Sequence, residues 1–306
     1  MFLCWGGALF NAQWLTRAYP GVSVRLQSGV SAQTLRAALT ESGADAPRLC
    51  AWTRSAQRIT LQNEALGAQI AARRVAVYGD MAAVCHMTLL YGAFPPSIDE
   101  AGCVIDESVA LGLFRNLSVV GATIELDARC YTVRAVVRAR EPMLLLRDAN
   151  AAYENLELTF ANVESAAARA KDFLYRYDIA KPYTIVENGF YARLMADLSD
   201  LPAFLVAAWA LSAVLLRAWK RRTIPLQLAL LLLLAAAVFL LLTRLLDLKL
   251  YWPDRFLPTR WSDFAFWPKT LQSQRAYFNE LAFLPPVPKD MLWRAAARGL
   301  LRCAAG

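Results

Sequence analysis

The residue types that most often carry out chemistry are few in this chain, and their spacing does not form a site. The sequence contains one histidine, His86, so no second histidine can join it in holding a metal ion. None of the cysteines forms a C-x-x-C pair, and most lie within apolar runs: Cys4, Cys50, Cys85, Cys103, Cys130 and Cys303. Such cysteines are typical of buried small hydrophobic positions, with disulfide pairs as an alternative if their domain faces an oxidising exterior. We predict no metal site and no redox site.

Acidic and nucleotide-binding motifs are equally sparse. Asp106 and Glu107 are adjacent acids, but they stand where a helix is expected to begin, and no Ser/His/Asp or metal-binding pattern accompanies them. No Gly-Lys dipeptide occurs, which excludes a phosphate-binding loop of the ATPase type from this sequence. We therefore predict no catalytic residue, no cofactor-binding residue and no cofactor. Any ATP hydrolysis would belong to a separate subunit.

The chain is both apolar and basic. It has 306 residues, of which 57% are hydrophobic, and a formal net charge of +8. That length accommodates one sizeable domain together with a membrane part. The basic residues are spread along the chain, with concentrations in one turn and in the C-terminal tail, and no nucleic-acid-binding motif accompanies them. We interpret the charge as a sign of membrane topology and lipid contact, and we predict no nucleic-acid partner.

Two consecutive apolar runs, 201–216 and 224–242, have 16 and 19 residues and are joined by the turn 217–223. Each run approaches the ~20 residues that a helix needs to cross a bilayer. We therefore predict a transmembrane hairpin within residues 201–243. A buried helical hairpin of a large soluble protein is the alternative, and the lack of a polar face counts against it. The turn carries no acid and several basic residues, which places it in the cytoplasm by the positive-inside rule: Arg217, Lys220, Arg221 and Arg222.

The two ends of the chain also have membrane character. Residues 1–18 are predicted to hold the outer part of a first transmembrane helix, because residues 1–15 are apolar but too short to span alone. Residues 244–306 mix aromatic residues with prolines and charges, which suits the lipid headgroup layer, although a small aromatic cap on the preceding domain is an alternative. A final helix at about 290–302 would carry arginines on one face, which favours contact with anionic lipid: Arg294, Arg298 and Arg302.

Residues 19–200 are predicted to form one α+β domain. Two β-α-β units stand far apart in it, with strands at 22–26, 49–53, 156–160 and 183–186 and helices at 31–38 and 164–177. The strands alternate, the helices repeat their apolar residues at the helical period, and Ser31 is expected to cap the first helix. We predict that the two units pair into one split ferredoxin-like layer. A β-rich lobe is inserted between them at about 59–150.

The insertion contains a predicted hairpin of strands 121–126 and 130–138. In the second strand apolar and polar residues alternate, which is the period of a half-buried strand. The alternation places Tyr131, Val133, Ala135 and Val137 on one face, and Thr132, Arg134 and Arg138 on the other.

Three stretches of this insertion resemble the extracytoplasmic core domain of MacB/FtsX-type ABC permeases. They read GCVIDESVALGLFR at 102–115, VVGATIEL at 119–126 and YTVRAVV at 131–137, and together they cover about forty residues. The family has, in the same order, a strand, a helix that ends in Leu-Phe, a Val-Val-Gly segment and a strand with a bend. The chain departs from the family at Arg134 and Ala135, where an apolar residue and a glycine are usual. We therefore predict that the bend is absent.

The resemblance implies a permease-like, multi-pass subunit of the plasma or inner membrane, with its main domain outside the cytoplasm. The implied partners are an ABC ATPase subunit, a second permease copy or paralogue, and the lipid bilayer. The basic residues of the turn 217–223 would contact the ATPase or, alternatively, anchor the turn at lipid headgroups. The alternative function is a membrane-anchored regulator or adaptor of an external partner, such as a cell-wall hydrolase, without transport.

Overall fold

The computed structural model describes residues 13–63, 66–85, 87–127, 129–162, 165–179, 182–197, 254–258, 263–285, 287, 289–290 and 295, together with isolated positions between 209 and 240. The chain divides into two compact units. The larger unit consists of Tyr19–Phe190 and Phe283–Trp293, and the smaller consists of Met1–Ala18, Tyr191–Ala282 and Arg294–Gly306.

The larger unit contains every strand of the described residues. The strands are β1 (Val22–Ser31), β2 (Arg48–Asn63), β3 (Ala68–Tyr78), β4 (Thr88–Gly92), β5 (Gly102–Asp106), β6 (Thr123–Leu126), β7 (Arg129–Arg138), β8 (Met143–Arg147), β9 (Ala152–Thr159) and β10 (Tyr183–Val186). The helices of this unit are α1 (Ala32–Ser42), α2 (Glu107–Phe114) and α3 (Ala166–Arg176). All strands belong to one sheet, in the order β10-β1-β9-β2-β3-β8-β5-β7-β4, with β6 beside β2 and β7.

The first part of this sheet is the predicted α/β layer. Strand β9 lies between β1 and β2 and is antiparallel to both, and β10 is antiparallel to the other edge of β1. The pairing of β1 with β9, which the sequence predicted, is confirmed by the partners Val24 and Leu156. One face of the layer packs against α1 and α3 through a shared apolar core that includes Val22, Val24, Leu35, Leu156, Leu158, Phe173 and Leu174. The predicted cap of α1 is also confirmed, because the Thr34 N–H donates to Ser31 Oγ at 3.1 Å.

The second part of the sheet closes into a ring of strands. Strands β2, β3, β8, β5 and β7 follow one another, and β6 pairs with β7 and, through Glu125 and Gln62, with β2. Each strand of the ring contributes to one apolar core, which α2 covers with Val109, Ala110 and Leu113. The predicted hairpin of β6 and β7 is confirmed. The prediction of a separate lobe is wrong, because the 16-residue strand β2 runs without interruption from the α/β layer into the ring.

Strand β7 contains an irregularity that the sequence did not predict. Its register with β5 shifts by one residue, so that Cys103 pairs with Val133 and Val104 pairs with Ala135. The extra residue is Arg134, and an extra residue reverses the side-chain alternation beyond it. Val133 consequently faces the core inside the ring, whereas Ala135 and Val137 face the core on the other side of the sheet. The predicted common face, and the prediction that the bend is absent, are both wrong.

The smaller unit contains helix α4 (Phe266–Phe283) except for its last residue, and also residues 191–197 of a helical segment at 188–197. Within this unit the ring of Tyr191 stacks on that of Tyr277, with centroids 5.8 Å apart. The predicted hairpin at 201–243 and the first transmembrane segment at 1–18 lie mostly outside the described residues. Among the residues that are described, no helix has both the length and the apolar composition needed to cross a membrane.

Candidate functional site

The residues that the sequence singled out for chemistry have structural roles. Asp106 caps α2: its Oδ2 accepts the Ser108 N–H at 2.9 Å, and its Oδ1 accepts the Ala139 N–H at 2.8 Å. Glu107 forms an ion pair with Arg138 at 3.0 Å on the surface. The interpretation of these two acids as the start of a helix is therefore confirmed.

The described cysteines are free thiols. Cys50, Cys85 and Cys103 are buried and Cys130 is exposed. Burial raises the pKa of Cys85 and Cys103 to about 12, so that both stay protonated and unreactive at neutral pH. His86 lies outside the described residues. Within the part of the chain that is described, no group of His, Cys, Asp and Glu side chains is arranged to hold a metal ion.

The densest polar cluster lies on the face of the α/β layer that is opposite α1 and α3. Because side chains alternate along a strand, the neighbours of the core residues Val24 and Leu156 point to this other face. The register places Ser23 beside Glu157, and Arg25 beside Asn155. All four side chains belong to buried residues. The register thus concentrates polar groups, two of them charged, on a face that water does not reach.

Two residues from far along the chain complete the cluster. Lys289 Nζ lies 2.7 Å from Glu157 Oε2, and Arg25 Nη1 lies 3.0 Å from Glu157 Oε1. Arg25 also donates to Asp290 through two nitrogens, at 2.9 Å from Nη2 and 3.2 Å from Nε. The four side chains are between 6% and 8% exposed. We call Arg25, Glu157, Lys289 and Asp290 the ionic clasp, since they join the sheet to residues 283–293 of the same unit.

The Glu157 carboxylate has further donors. Trp52 Nε1 donates to its Oε1 at 3.2 Å, and the Ser23 hydroxyl donates to its Oε2. Asn188 in turn donates to Ser23 Oγ at 2.9 Å. With Arg25 and Lys289 included, both carboxylate oxygens are hydrogen-bonded, as a buried charge requires.

Lys289 is held through its backbone as well as its side chain. Its Nζ donates to the Ala83 carbonyl at 3.0 Å, in addition to Glu157. Its own carbonyl accepts the Tyr19 hydroxyl at 2.7 Å, and its ammonium lies 5.8 Å from the centre of the Tyr19 ring. These contacts fix the register of Lys289 against its partners, because a shift of the segment by one residue would remove all of them.

The electrostatics of the clasp are balanced. Burial by itself raises the pKa of Glu157, but the charges of Lys289 and Arg25 outweigh it and hold that pKa below its usual value of 4.5. Burial likewise lowers the pKa of Arg25, and the charges of Glu157 and Asp290 more than reverse this effect. Two cations alternate with two carboxylates, so the cluster is neutral as a whole. The shifted pKa values of Glu157 and Arg25 keep both of these groups ionised at neutral pH.

The clasp is suited to attachment and not to catalysis. Its charged groups are buried and already hydrogen-bonded, so they offer no accessible proton donor or acceptor. Buried ion pairs add little net stability relative to apolar packing, but loss of one partner is costly because the other charge stays buried. We therefore interpret the clasp as an attachment that holds Lys289 and Asp290 on the sheet in one register.

Sequence reasoning missed this cluster. Arg25 and Glu157 were part of correctly predicted strands, but their alternation with apolar neighbours indicated only a polar face. Lys289 and Asp290 stand at the start of the basic tail, and the tail was predicted to contact lipid. The sequence did hold one signal. Polar residues recur on one face of two adjacent strands, and the predicted fold gave that face no exposed role. The predicted contact residues of the turn lie outside the described residues: Arg217, Lys220, Arg221 and Arg222.

The chain is similar to solved extracytoplasmic domains of ABC-type transporters. One is the extracellular domain of the noncanonic ABC-type transporter YknZ from Gram-positive bacteria, with 10% identity and a TM-score of 0.43, covering 54% of this chain and 98% of that one. Another is the periplasmic region of MacB from Actinobacillus actinomycetemcomitans, with 14% identity and a TM-score of 0.45, covering 58% of this chain and 94% of that one.

No known protein-family profile matches the chain. No curated protein matches it either.

Removal of the central carboxylate should destabilise the larger unit strongly. The substitution Glu157→Ala leaves Arg25 and Lys289 buried with one carboxylate between them, at a cost of about 3–5 kcal/mol. For a domain of this size that corresponds to a fall of about 10 °C in the unfolding midpoint. The control Glu107→Ala, which breaks an exposed pair with Arg138, should cost about 1 kcal/mol or less. Tryptophan fluorescence during heating of the full chain in detergent measures both, and equal losses would contradict the clasp.

Acid should weaken the clasp. Because the pKa of Glu157 is lower in the folded protein than its usual value of 4.5, its stabilisation is complete above that value and is lost as the pH falls below it. The variant Glu157→Gln should be less stable at pH ~7 and should lose less on acidification than the wild type. Unfolding midpoints measured from pH ~7 to ~3 test this, with the exposed Glu41→Gln as the control. Parallel curves for wild type and Glu157→Gln would contradict it.

Proposed function

We propose that this chain is a permease-like membrane subunit of a MacB/FtsX-type ABC system. In this role it passes ATP-driven motion from a separate ATPase to its extracytoplasmic domain, for export or mechanotransmission. The domain between residues 19 and 190 does the external work, and the predicted hairpin at 201–243 carries the motion across the membrane. No residue of the chain acts as a catalyst in this proposal.

The main support for the proposal is that one compact unit contains residues from both sides of the predicted hairpin. Residues 19–190 and 283–293 belong to one compact unit, and Lys289 and Asp290 are buried in it. The predicted hairpin lies between these two segments in the sequence. Both flanks of the hairpin must therefore lie on the same side of a membrane, which requires an even number of crossings. This requirement supports two crossings with the basic turn on the opposite side.

The clasp also gives the domain a second attachment. The chain enters the membrane region after Phe190, and it returns to the domain at the clasp. A displacement of the hairpin would then act on the domain at two places. A buried, register-specific attachment can pass on a displacement that an exposed and slipping contact would absorb. The rigidity of the clasp therefore supports mechanical transmission.

The partners follow from the same arrangement. The turn at 217–223 is the basic segment that the proposed topology places in the cytoplasm, so it is the proposed contact for the ATPase. A second permease copy or paralogue would pack against the hairpin, and residues 244–306 would include contacts with the headgroup layer. Exposed aromatic and aliphatic side chains near the start of α4 support the last point: Phe264 is 88% exposed and Leu271 is 68% exposed.

Labelling with a membrane-impermeant thiol reagent tests the topology. In a background without native cysteines, we expect Ile98→Cys and Phe283→Cys to react in intact cells or spheroplasts, since these side chains are 87% and 90% exposed. Thr223→Cys should react only after permeabilisation. Labelling of Thr223→Cys in intact cells would refute the proposed orientation. Protection of Phe283→Cys together with labelling of Ile98→Cys would contradict the even number of crossings.

Recovery of the ATPase on purification in mild detergent tests the proposed contact. The double substitution Arg221→Gln/Arg222→Gln should reduce recovery about tenfold or more, since each charge-assisted hydrogen bond lost costs about 1.5–3 kcal/mol. Arg217 and Lys220 remain to orient the hairpin, and Arg58→Gln/Lys171→Gln on the domain surface is the matched control. Unchanged recovery at normal membrane levels would leave the turn as a lipid anchor. Absence of any ATPase from the wild-type preparation would favour the regulator or adaptor.

A further inference from the structure

The larger unit also contains a cleft of about 830 Å³, and none of the clasp residues lines it. Helix α1, the end of β3, the loop after β8 and the start of β7 form its walls. Ligand pockets for small organic molecules usually have volumes of roughly 300–1,000 Å³. The cleft is therefore large enough for a small molecule, and the charges of its lining indicate which kind.

Two charged residues of the lining are already engaged within the protein. Asp148 accepts Arg74 Nη2 at 2.5 Å and the Asn150 N–H at 3.0 Å. Arg147 donates from Nη1 to the Gly79 carbonyl at 2.9 Å and from Nη2 to the Pro96 carbonyl at 3.0 Å. These side chains hold the walls of the cleft together.

The other cations of the lining are not engaged in this way. Arg36 on α1 and Arg129 on β7 are exposed and form no ion pair with any described residue. Glu100 is the remaining acid of the lining, and it is also exposed. Since Arg74 compensates Asp148, the accessible charge of the cleft is net positive. A guanidinium group presents several donors in a planar arrangement that fits a carboxylate or a similar anion.

A further donor in the wall lacks an acceptor. Arg147 Nε is buried and has no hydrogen-bond partner in the described part of the chain. An unmet buried donor is costly, so a group of this kind favours an occupant with acceptor oxygens. The wall also has apolar area, because the half-buried side chains of Tyr78, Leu39 and Leu49 line it. Aromatic rings of this kind pack well against a flat apolar body.

We propose that this cleft binds a small organic anion with an apolar body, such as an aromatic or aliphatic carboxylate. Arg36 and Arg129 bind the anionic group, and the tyrosine and leucine side chains contact the apolar body. The inference does not depend on an ATPase partner or on the membrane topology. It would make the external domain a binding module as well as a moving part.

Titration of the full chain, in an uncharged detergent, with a pair of fluorescent probes tests the site. Dansylglycine carries a carboxylate, and dansylamide has the same apolar body without the charge. We expect dansylglycine to bind at least about tenfold more tightly, with Arg36→Gln/Arg129→Gln removing most of that difference. The matched control Arg58→Gln/Lys171→Gln changes the net charge by the same amount on exposed residues away from the cleft, and it should leave both affinities unchanged.

A second variant locates the apolar part of the site. Ala149 is exposed and lines the cleft, so Ala149→Trp should fill it without disturbing a core and should reduce binding of both probes. Equal affinities for the two probes would overturn the proposal. It would also be overturned by binding of dansylglycine that is unaffected by Arg36→Gln/Arg129→Gln, or that survives Ala149→Trp.

Discussion

The larger unit depends on one buried carboxylate, that of Glu157, and on the requirement that a buried charge be compensated. Arg25 reaches it from the neighbouring strand, and Lys289 reaches it from a segment that follows the predicted membrane hairpin. Desolvation of a single carboxylate is expensive, so these groups must come together for any of them to be buried. Lys289 and Asp290 consequently lie against the sheet face that is opposite α1 and α3. One electrostatic constraint thereby joins two segments that lie on either side of the predicted hairpin in the sequence.

The same constraint gives the sheet two faces with different roles. One face of the α/β layer is apolar and covered by two helices, as the alternation in β1 and β9 requires. The other carries the clasp and, further along the sheet, an apolar core to which Trp52 and Val287 contribute. Strand β2 belongs to both the layer and the ring of strands. Its length makes the two parts one continuous hydrogen-bonded sheet.

The clasp and the cleft differ in how their charges are used. In the clasp every cation faces a carboxylate at hydrogen-bond distance, so the cluster is closed to other partners. In the cleft Arg147 is committed to carbonyl groups, while Arg36 and Arg129 remain exposed and without an ion pair among the described residues. Paired and buried charges fix a structure, whereas exposed and unpaired charges in a concave surface are available to a ligand. The larger unit thus has one polar cluster suited to attachment and another suited to recognition.

The sequence by itself determined the local elements of this protein. Ser31 and Asp106 begin helices because their side chains accept the first free N–H groups, and this depends only on neighbouring residues. The two β-α-β units and the hairpin of β6 and β7 follow in the same way from periodicity over a few residues. The pairing of β1 with β9 was also predictable, because alternating strands need partners. The absence of a phosphate-binding loop is a property of the sequence alone.

Only the tertiary structure decided which distant residues meet. Arg25 and Asp290 are 265 positions apart, and Glu157 and Lys289 are 132 apart, so no local spacing could relate them. In the sequence Lys289 resembled the other basic residues of a tail at a lipid surface. The closure of the ring by β6 and the bulge at Arg134 were likewise invisible, because both depend on the register between strands. The periodicity of a segment shows which of its residues share a face. The free energy of burying a charge on that face depends on the groups that the rest of the chain places against it.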